Sequence, residues 1–356
     1  MGPQFVPGLE LAAQFYADLV RPLLDETFPG LPHSAALLGP GSEVLGFDTA
    51  RSADHDWGPR LQIFLAAEDA ERAADAITRT LADRLPARFR DYPTRYTLSG
   101  DPDAAPVHHC EVAGLGQWLT GQLGFDPSRG ITTLDWLATP TQRLAEITGG
   151  AVFHDGLGEL GPVRAGLAWY PRDAWLYILA CQWGRIGQEE AFAGRCAEVG
   201  DEVGAAVVAA RLVRDMMRLV LLMHRRYPPY SKWLGTAFAR LPIAPALTPA
   251  LTGALSASNG RAREHHLCAA LEATGTLHNE TGLTEPVDPA VRFFYDRPFR
   301  VLDAGRFAAA LRQAIADPRL RRLPPTGAVD QFVDSTDALG DIGFLRSVLA
   351  TSLRPT

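Results

Sequence analysis

Residues 39–66, "GPGSEVLGFDTARSADHDWGPRLQIFLA", place Gly41-Ser42 a short spacer ahead of Asp54-His55-Asp56, and then run into an apolar stretch. On a strand, side chains alternate with period two, so Asp54 and Asp56 point to the same face with their carboxylates about 6 to 7 Å apart. With a third carboxylate from a neighbouring strand, such a pair can hold two divalent cations roughly 3.5 to 4 Å apart, as in two-metal phosphoryl chemistry. Hard oxygen ligands select Mg2+ or Mn2+. Upstream, the glycine lets backbone approach a phosphate closely, and N–H groups at a helix start beside a serine hydroxyl bind phosphate oxygens. Gly41, Ser42, Asp54 and Asp56 together therefore read as a nucleoside triphosphate cradle. Glu111, inside "HHCEVAGL", is the natural third carboxylate, its other reading being a strand-end residue facing water.

These residues need elements to position them. An amphipathic helical pattern over 9–28 (Leu9, Ala12, Phe15, Leu19, Leu23, Leu24) stops at Pro29-Gly30. A short strand over 33–38 leads into the Gly-Ser loop, and 43–47 is expected to form one or two helical turns. Residues 54–65 read as a half-buried strand. A helix over 68–85 follows, closed by Pro86, and then strands over 95–98 and 107–112. The expected class is α+β: a packing helix (1–28), a small mixed-sheet domain (29–150) whose sheet occupies about 29–115, and a mostly α-helical domain (151–356). In the last, 173–188, 189–227, 230–240, 261–274 and 304–316 look helical.

The cradle resembles the signature of the nucleotidyltransferase superfamily that includes DNA polymerase β and the antibiotic nucleotidyltransferases. That signature is an apolar residue, Gly, Gly or Ser, a spacer, and Asp-x-Asp or Asp-x-Glu on a strand; here Leu38 precedes Gly41-Ser42 and Asp54-His55-Asp56 follows. A longer resemblance runs through "SADHDWGPR", "TPTQRLAEITGGAVFHDGLGEL", "YPRDAWLYILACQW" and "YPPYSKWLGTAFARL". In order, these look like a bacterial family of nucleotidyltransferase-like proteins whose C-terminal part is known only as domain of unknown function 4037. The resemblance covers most of 35–245. It implies that Gly41 and Ser42 contact the triphosphate of an NTP, ATP as the first choice, and that Asp54, Asp56 and Glu111 ligate two Mg2+ (or Mn2+) ions. The implied reaction is in-line attack of an acceptor hydroxyl, on a small molecule or protein, at the α-phosphorus, with pyrophosphate leaving. A nucleotide-sensing or partner-binding protein on the same fold is the alternative.

Other residues carry two readings each. Lys232 is the one lysine of the chain, and a lysine that arginine has not replaced suits a compact point charge on a triphosphate, or is an accident of composition. Arg60 could meet a phosphate or form a surface ion pair. Trp57 could stack on a base or pack in the core. His154-Asp155 and His55-Asp56 look like HD dyads, but metal phosphohydrolases need further ligands on helices, and neither dyad sits in a helical pattern. Asp155 reads as a turn residue or a cleft residue, and Glu189, Glu190 and Asp201 as acidic helix starts favoured by the dipole.

Composition sets the outer limits. The 356 residues, 47% hydrophobic and 21% charged, suit two folded domains. A net charge of -7 argues against a nucleic-acid partner and for a small substrate. Neither a signal peptide nor a membrane span is legible, and Cys110, Cys181, Cys196 and Cys268 lack CxxC spacing; both point to a cytoplasmic protein with reduced thiols.

Overall fold

A computed structural model of the chain describes residues 5–52, 57–96 and 106–352. The chain divides into two compact units: Met1–Asp135 with Arg143–Ala168, and Trp136–Gln142 with Trp169–Thr356. The boundary expected at 150/151 precedes strand Ala151–Asp155, which is hydrogen-bonded into the sheet of the first unit.

In the first unit, helix α1 (Gly8–Phe15) passes through one π-helical turn (Tyr16–Val20) into α2 (Arg21–Thr27). Strand β1 (Ser34–Leu37), β2 (Arg60–Leu65), helix α3 (Ala67–Arg84), the short β3 (Arg88–Phe89) and β4 (Tyr92–Pro93), β5 (Arg95–Tyr96) and β6 (Val107–Gly114) follow. Then come α4 (Leu115–Leu123), α5 (Thr133–Ala138) and α6 (Thr141–Thr148), of which the stretch Trp136–Gln142 belongs to the second unit, and β7 (Ala151–Asp155) and α7 (Leu160–Gly166). Five strands make one mixed sheet in the order β5-β6-β2-β1-β7, with β2 and β6 parallel and the other neighbours antiparallel. The parallel pair is what the intervening α3 permits, because a parallel return needs a crossover long enough to hold a helix.

Strand alternation divides β2 between two faces. Leu61, Ile63 and Leu65 join Leu11 and Phe15 of α1 and Ile77 and Leu81 of α3 in a continuous apolar cluster. Cys110, the register partner of Leu61, lies in the same cluster, and burial pushes its thiol up to about 12, so it packs as an inert apolar group. Arg60, Gln62 and Phe64 therefore face the other way, together with their β6 partners His109, Glu111 and Ala113. That second face carries the polar side chains of the parallel pair, Arg60, Gln62, His109 and Glu111.

The second unit is helical: α8 (Arg172–Glu189), α9 (Phe192–Glu198), α10 (Glu202–Met223), α11 (Ser231–Ala239), α12 (Ala244–Ser256) and α13 (Gly260–Glu280), then the small β8 (Arg292–Phe293) and β9 (Arg300–Val301) and α14 (Gly305–Ala314). Shorter helices α15 (Pro318–Arg322) and α16 (Thr336–Gly340), and the longer α17 (Ile342–Ser352), complete it. Trp183 of α8 stacks on Phe307 of α14 with ring centroids 4.5 Å apart, and its indole N–H donates to His278 Nδ1 at 3.2 Å. The segment expected as one helix over 189–227 is two. Gly200 takes a left-handed φ of 76° that ends α9, and Asp201 restarts the chain by accepting the Gly204 N–H at 2.8 Å. Helix α12 is not among the expected helices; it carries Pro245 in its first turn, where a missing N–H costs nothing, and Pro249 inside it.

Among the described residues, no helix is long and apolar enough to cross a membrane.

Candidate functional site

The candidate site is built on the loop after β1. Leu38 is locked in place by Gln62, whose side-chain amide accepts the Leu38 N–H at 3.0 Å and donates to the Leu38 carbonyl at 3.2 Å. Gln62 is only 7% exposed, and this reciprocal pair satisfies its amide at both ends. Gly39 follows with φ 84°, a left-handed conformation that glycine adopts without strain, and its N–H donates to the Glu146 carbonyl at 3.1 Å. Residues 43–47 form a turn in which the Gly46 N–H reaches the Glu43 carbonyl and the Phe47 N–H reaches the Ser42 carbonyl. The expected helical turns do not develop, because Gly46 at φ 68° leaves the right-handed region. The helix-start argument for phosphate binding at Ser42 therefore loses its helix.

Arg60 is an internal clamp on this loop. Its Nε donates to Glu43 Oε1 at 2.7 Å and its Nη2 to the Pro40 carbonyl at 2.5 Å, with the ion pair closing at 2.6 Å. The side chains are 15% and 3% exposed, so the pair is buried rather than on the surface. A Cβ on Gly41 would fall on the Arg60 guanidinium and within 2.7 Å of Glu43 Oε2, and Gly41 holds φ 153°. The clamp by itself thus explains why residue 41 is glycine.

Glu111 lies beside Gln62 in the parallel register and on the same sheet face. Its carboxylate is exposed, and Oε2 accepts the indole N–H of Trp118 at 3.0 Å. Trp118, buried in α4, packs edge-on against Phe64 at 5.2 Å and stands 3.6 Å from where a Cβ on Gly39 would lie. The structure therefore brings Leu38–Ser42, Arg60, Gln62, Glu111 and Trp118 to one face of the sheet. Asp54 and Asp56 lie outside the described residues, and the strand expected over 54–65 begins only at Arg60 as β2, with 57–59 not in strand. Among the described residues, no three His, Cys, Asp or Glu side chains cluster as a metal site.

Lys232 belongs to the second unit, exposed in the first turn of α11 with Nζ 5.1 Å from the Trp233 ring. Trp57 is buried, stacks on Phe5 and donates its indole N–H to Asp48 at 3.2 Å, which is the core reading. Asp155 is the last residue of β7 and opens the turn after it: its carboxylate accepts Ser34 Oγ at 2.8 Å and the Gly161 N–H at 3.1 Å at the start of α7. Partial burial pushes its carboxyl up, but the Gly161, Ser34 and Leu160 donors outweigh it and hold it below the usual range. Asp201 does cap a helix start, as expected. Glu189 and Glu190 instead end α8: Glu189 pairs with Arg211 through two contacts of 2.8 and 2.6 Å, and Glu190 accepts the Leu302 and Ala304 N–H groups, each at 2.8 Å. Sequence reasoning missed Glu43, Gln62 and Trp118. Gln62 left a signal, a lone polar residue in the apolar strand "LQIFL", whereas Glu43 and Trp118 left none.

The fold and site define an α+β protein with a sheet-borne polar face in one unit and a helical second unit. The family described as "Domain of unknown function (DUF4037)" matches residues 136–234, from α5 to the first half of α11. No curated protein matches the chain.

Proposed function

We propose that the protein is a magnesium-dependent nucleotidyltransferase of the DNA polymerase β-like superfamily, moving a nucleoside monophosphate from an NTP to a hydroxyl of a small molecule or protein. The observation that carries this reading is the placement of Glu111 beside Gln62, whose amide fixes the start of the Gly-Ser loop. A loop of this kind and a carboxylate two strands away, on one sheet face, are what a cradle for triphosphate and metal requires. Asp54 and Asp56 come shortly before β2, which carries Gln62.

Three carboxylates make a hard oxygen donor set, so Asp54, Asp56 and Glu111 would hold Mg2+ or Mn2+. When bound, the metal supplies neutralisation of the charge that builds on the phosphoryl oxygens. The chain's own part is positioning. Trp118 fixes one Glu111 oxygen, which leaves the other to ligate or to take the acceptor hydroxyl's proton, and Gln62 and the Arg60–Glu43 clamp hold the loop rigid. Arg60 spends its guanidinium on Glu43 and Pro40, so Ser42 and loop N–H groups are the phosphate contacts in this reading.

One observation favours a second reading, a catalytically silent nucleotide-sensing or partner-binding protein: the clamp accounts for Gly41 without any phosphate. Calorimetric titration of ATP, GTP, CTP and UTP, with and without Mg2+, separates them when wild type is compared with Asp54→Ala/Asp56→Ala. Magnesium-dependent binding that the double variant loses, with pyrophosphate released on an acceptor screen, is the expected result. Binding without pyrophosphate release selects the sensor, and no binding of any triphosphate to wild type removes the cradle.

A further inference from the structure

We propose that the helical unit carries a second binding site, an arginine-lined pocket that takes a phosphate group in competition with the chain's own Asp334. The pocket has a volume of about 170 Å³ and draws Arg211, Arg214 and Arg218 from α10 and Arg185 from α8. At positions i, i+3 and i+7 the three α10 arginines share one helix face, where like charges repel. A water occupies roughly 30 Å³ of liquid, so the space suits an anion the size of phosphate or pyrophosphate.

Four carboxylates stand around these arginines, and they fall into two kinds. Glu189 takes Arg211 in two contacts of 2.8 and 2.6 Å and is committed to it. Asp215 is 2% exposed and stands 3.4 Å from Arg185 Nη2 and 3.6 Å from Arg214 Nε, which makes it a buried counter-ion that orients both side chains. Asp330 pairs with Arg218 at 2.9 Å and also accepts the Thr141 N–H at 2.8 Å, so it is equally committed to the fold. Asp334 differs. Its side chain is 74% exposed, and its two oxygens both take Arg214 Nη1, at 3.0 and 2.8 Å. It sits as a bound oxyanion would, on a side chain that can leave without opening the core.

Donors for an incoming ligand remain when it leaves. Each guanidinium offers five N–H groups, of which Glu189 takes donors from two nitrogens of Arg211 and the buried aspartates use few on the others. Arg214 Nε is itself buried and makes no hydrogen bond among the described residues. Tyr230 and Ser231 complete the wall at the start of α11, which has no side-chain cap. Planar guanidinium forks bind phosphate oxygens in pairs, which favours a phosphate group over a monovalent halide. The site stands apart from the nucleotidyltransferase reading, since it uses none of its residues.

The test is calorimetric titration of the full chain with inorganic phosphate, pyrophosphate and ATP at constant ionic strength, using chloride as the balancing anion. Asp334→Asn removes the competitor from an exposed position and should bind phosphate about two- to threefold tighter than wild type, while Arg214→Gln should bind about tenfold weaker. Pyrophosphate binding without ATP binding assigns a free anion, and ATP binding that Arg214→Gln loses assigns a nucleotide's phosphates. Equal phosphate affinity for wild type and Asp334→Asn overturns the proposal, as does no heat for either anion in the millimolar range. Asp54→Ala/Asp56→Ala should bind phosphate here as wild type does, so this proposal and the nucleotidyltransferase reading fail separately.

Discussion

Two arginine–carboxylate pairs, one in each unit, show what burial does to the same chemistry. Arg60–Glu43 is almost wholly buried, adds a backbone carbonyl to the guanidinium, and sets the shape of the Gly-Ser loop. Arg214–Asp334 pairs a partly buried arginine with an exposed carboxylate on the chain just before α16. Removing a partner from the first strands a charge that water reaches poorly; in the second, solvent takes over. A buried pair therefore makes a fixture and an exposed one can make a switch, and experiments should separate the two.

The largest separation is expected from Glu43→Ala, which leaves Arg60 buried without its counter-charge and should cost about 3–5 kcal/mol in urea unfolding. Replacing both partners, Glu43→Leu with Arg60→Met, should recover most of that loss. If the double change costs as much as the single one, the clamp is not an electrostatic unit.

Acid sharpens the comparison between the units through two buried histidines. His278 is 1% exposed, and burial pushes its imidazole down to about 4 from its ordinary 6.5. A folded pKa below the unfolded one means the unfolded chain binds more protons between the two values. The stability from keeping His278 neutral is thus present at pH 7 and lost as pH falls from about 6.5 through 4, by up to about 3 kcal/mol. His33 of the first unit, held by Tyr16 Oη at 2.9 Å, is also pushed down by burial, so its loss runs in the same direction. Unfolding of wild type against His278→Gln across pH 7 to 4 should show a difference that shrinks with acid; a pH-independent difference rejects the assignment.

A smaller effect is expected at the polar sheet face. Trp118→Phe keeps the ring against Phe64 but removes the donor to Glu111, and should cost about 1 kcal/mol. Asp334→Asn should be smallest, within about 0.5 kcal/mol of wild type, because its carboxylate is already solvated. A loss of several kcal/mol there would make Asp334 a fixture like Glu43 and erase the contrast.

Much of this architecture is legible in the chain. The helix expected over 68–85 is α3, the strand expected over 107–112 falls within β6, and the mixed sheet followed by helices is the observed α+β order. Boundaries moved where a single residue's backbone decided them, as Gly200 did between α9 and α10 and Gly46 did in the loop. At the site, Glu111 was legible as a carboxylate on a strand, but its neighbours were not. The arginines of α10 read only as interruptions of an apolar run, although their spacing already put them on one face.

The sequence by itself determined the strongly periodic segments, such as the helices within 9–28 and 68–85 and the strand over 107–112, because their patterns repeat every two or three to four residues. Only the tertiary structure decided the partners: Glu43 for Arg60 across 17 positions, Gln62 for Leu38 across 24, Asp330 for Arg218 across 112 and Asp334 for Arg214 across 120. Periodicity is a local property of the chain, whereas a hydrogen bond between distant residues exists only once the packing of intervening elements has brought its two ends together.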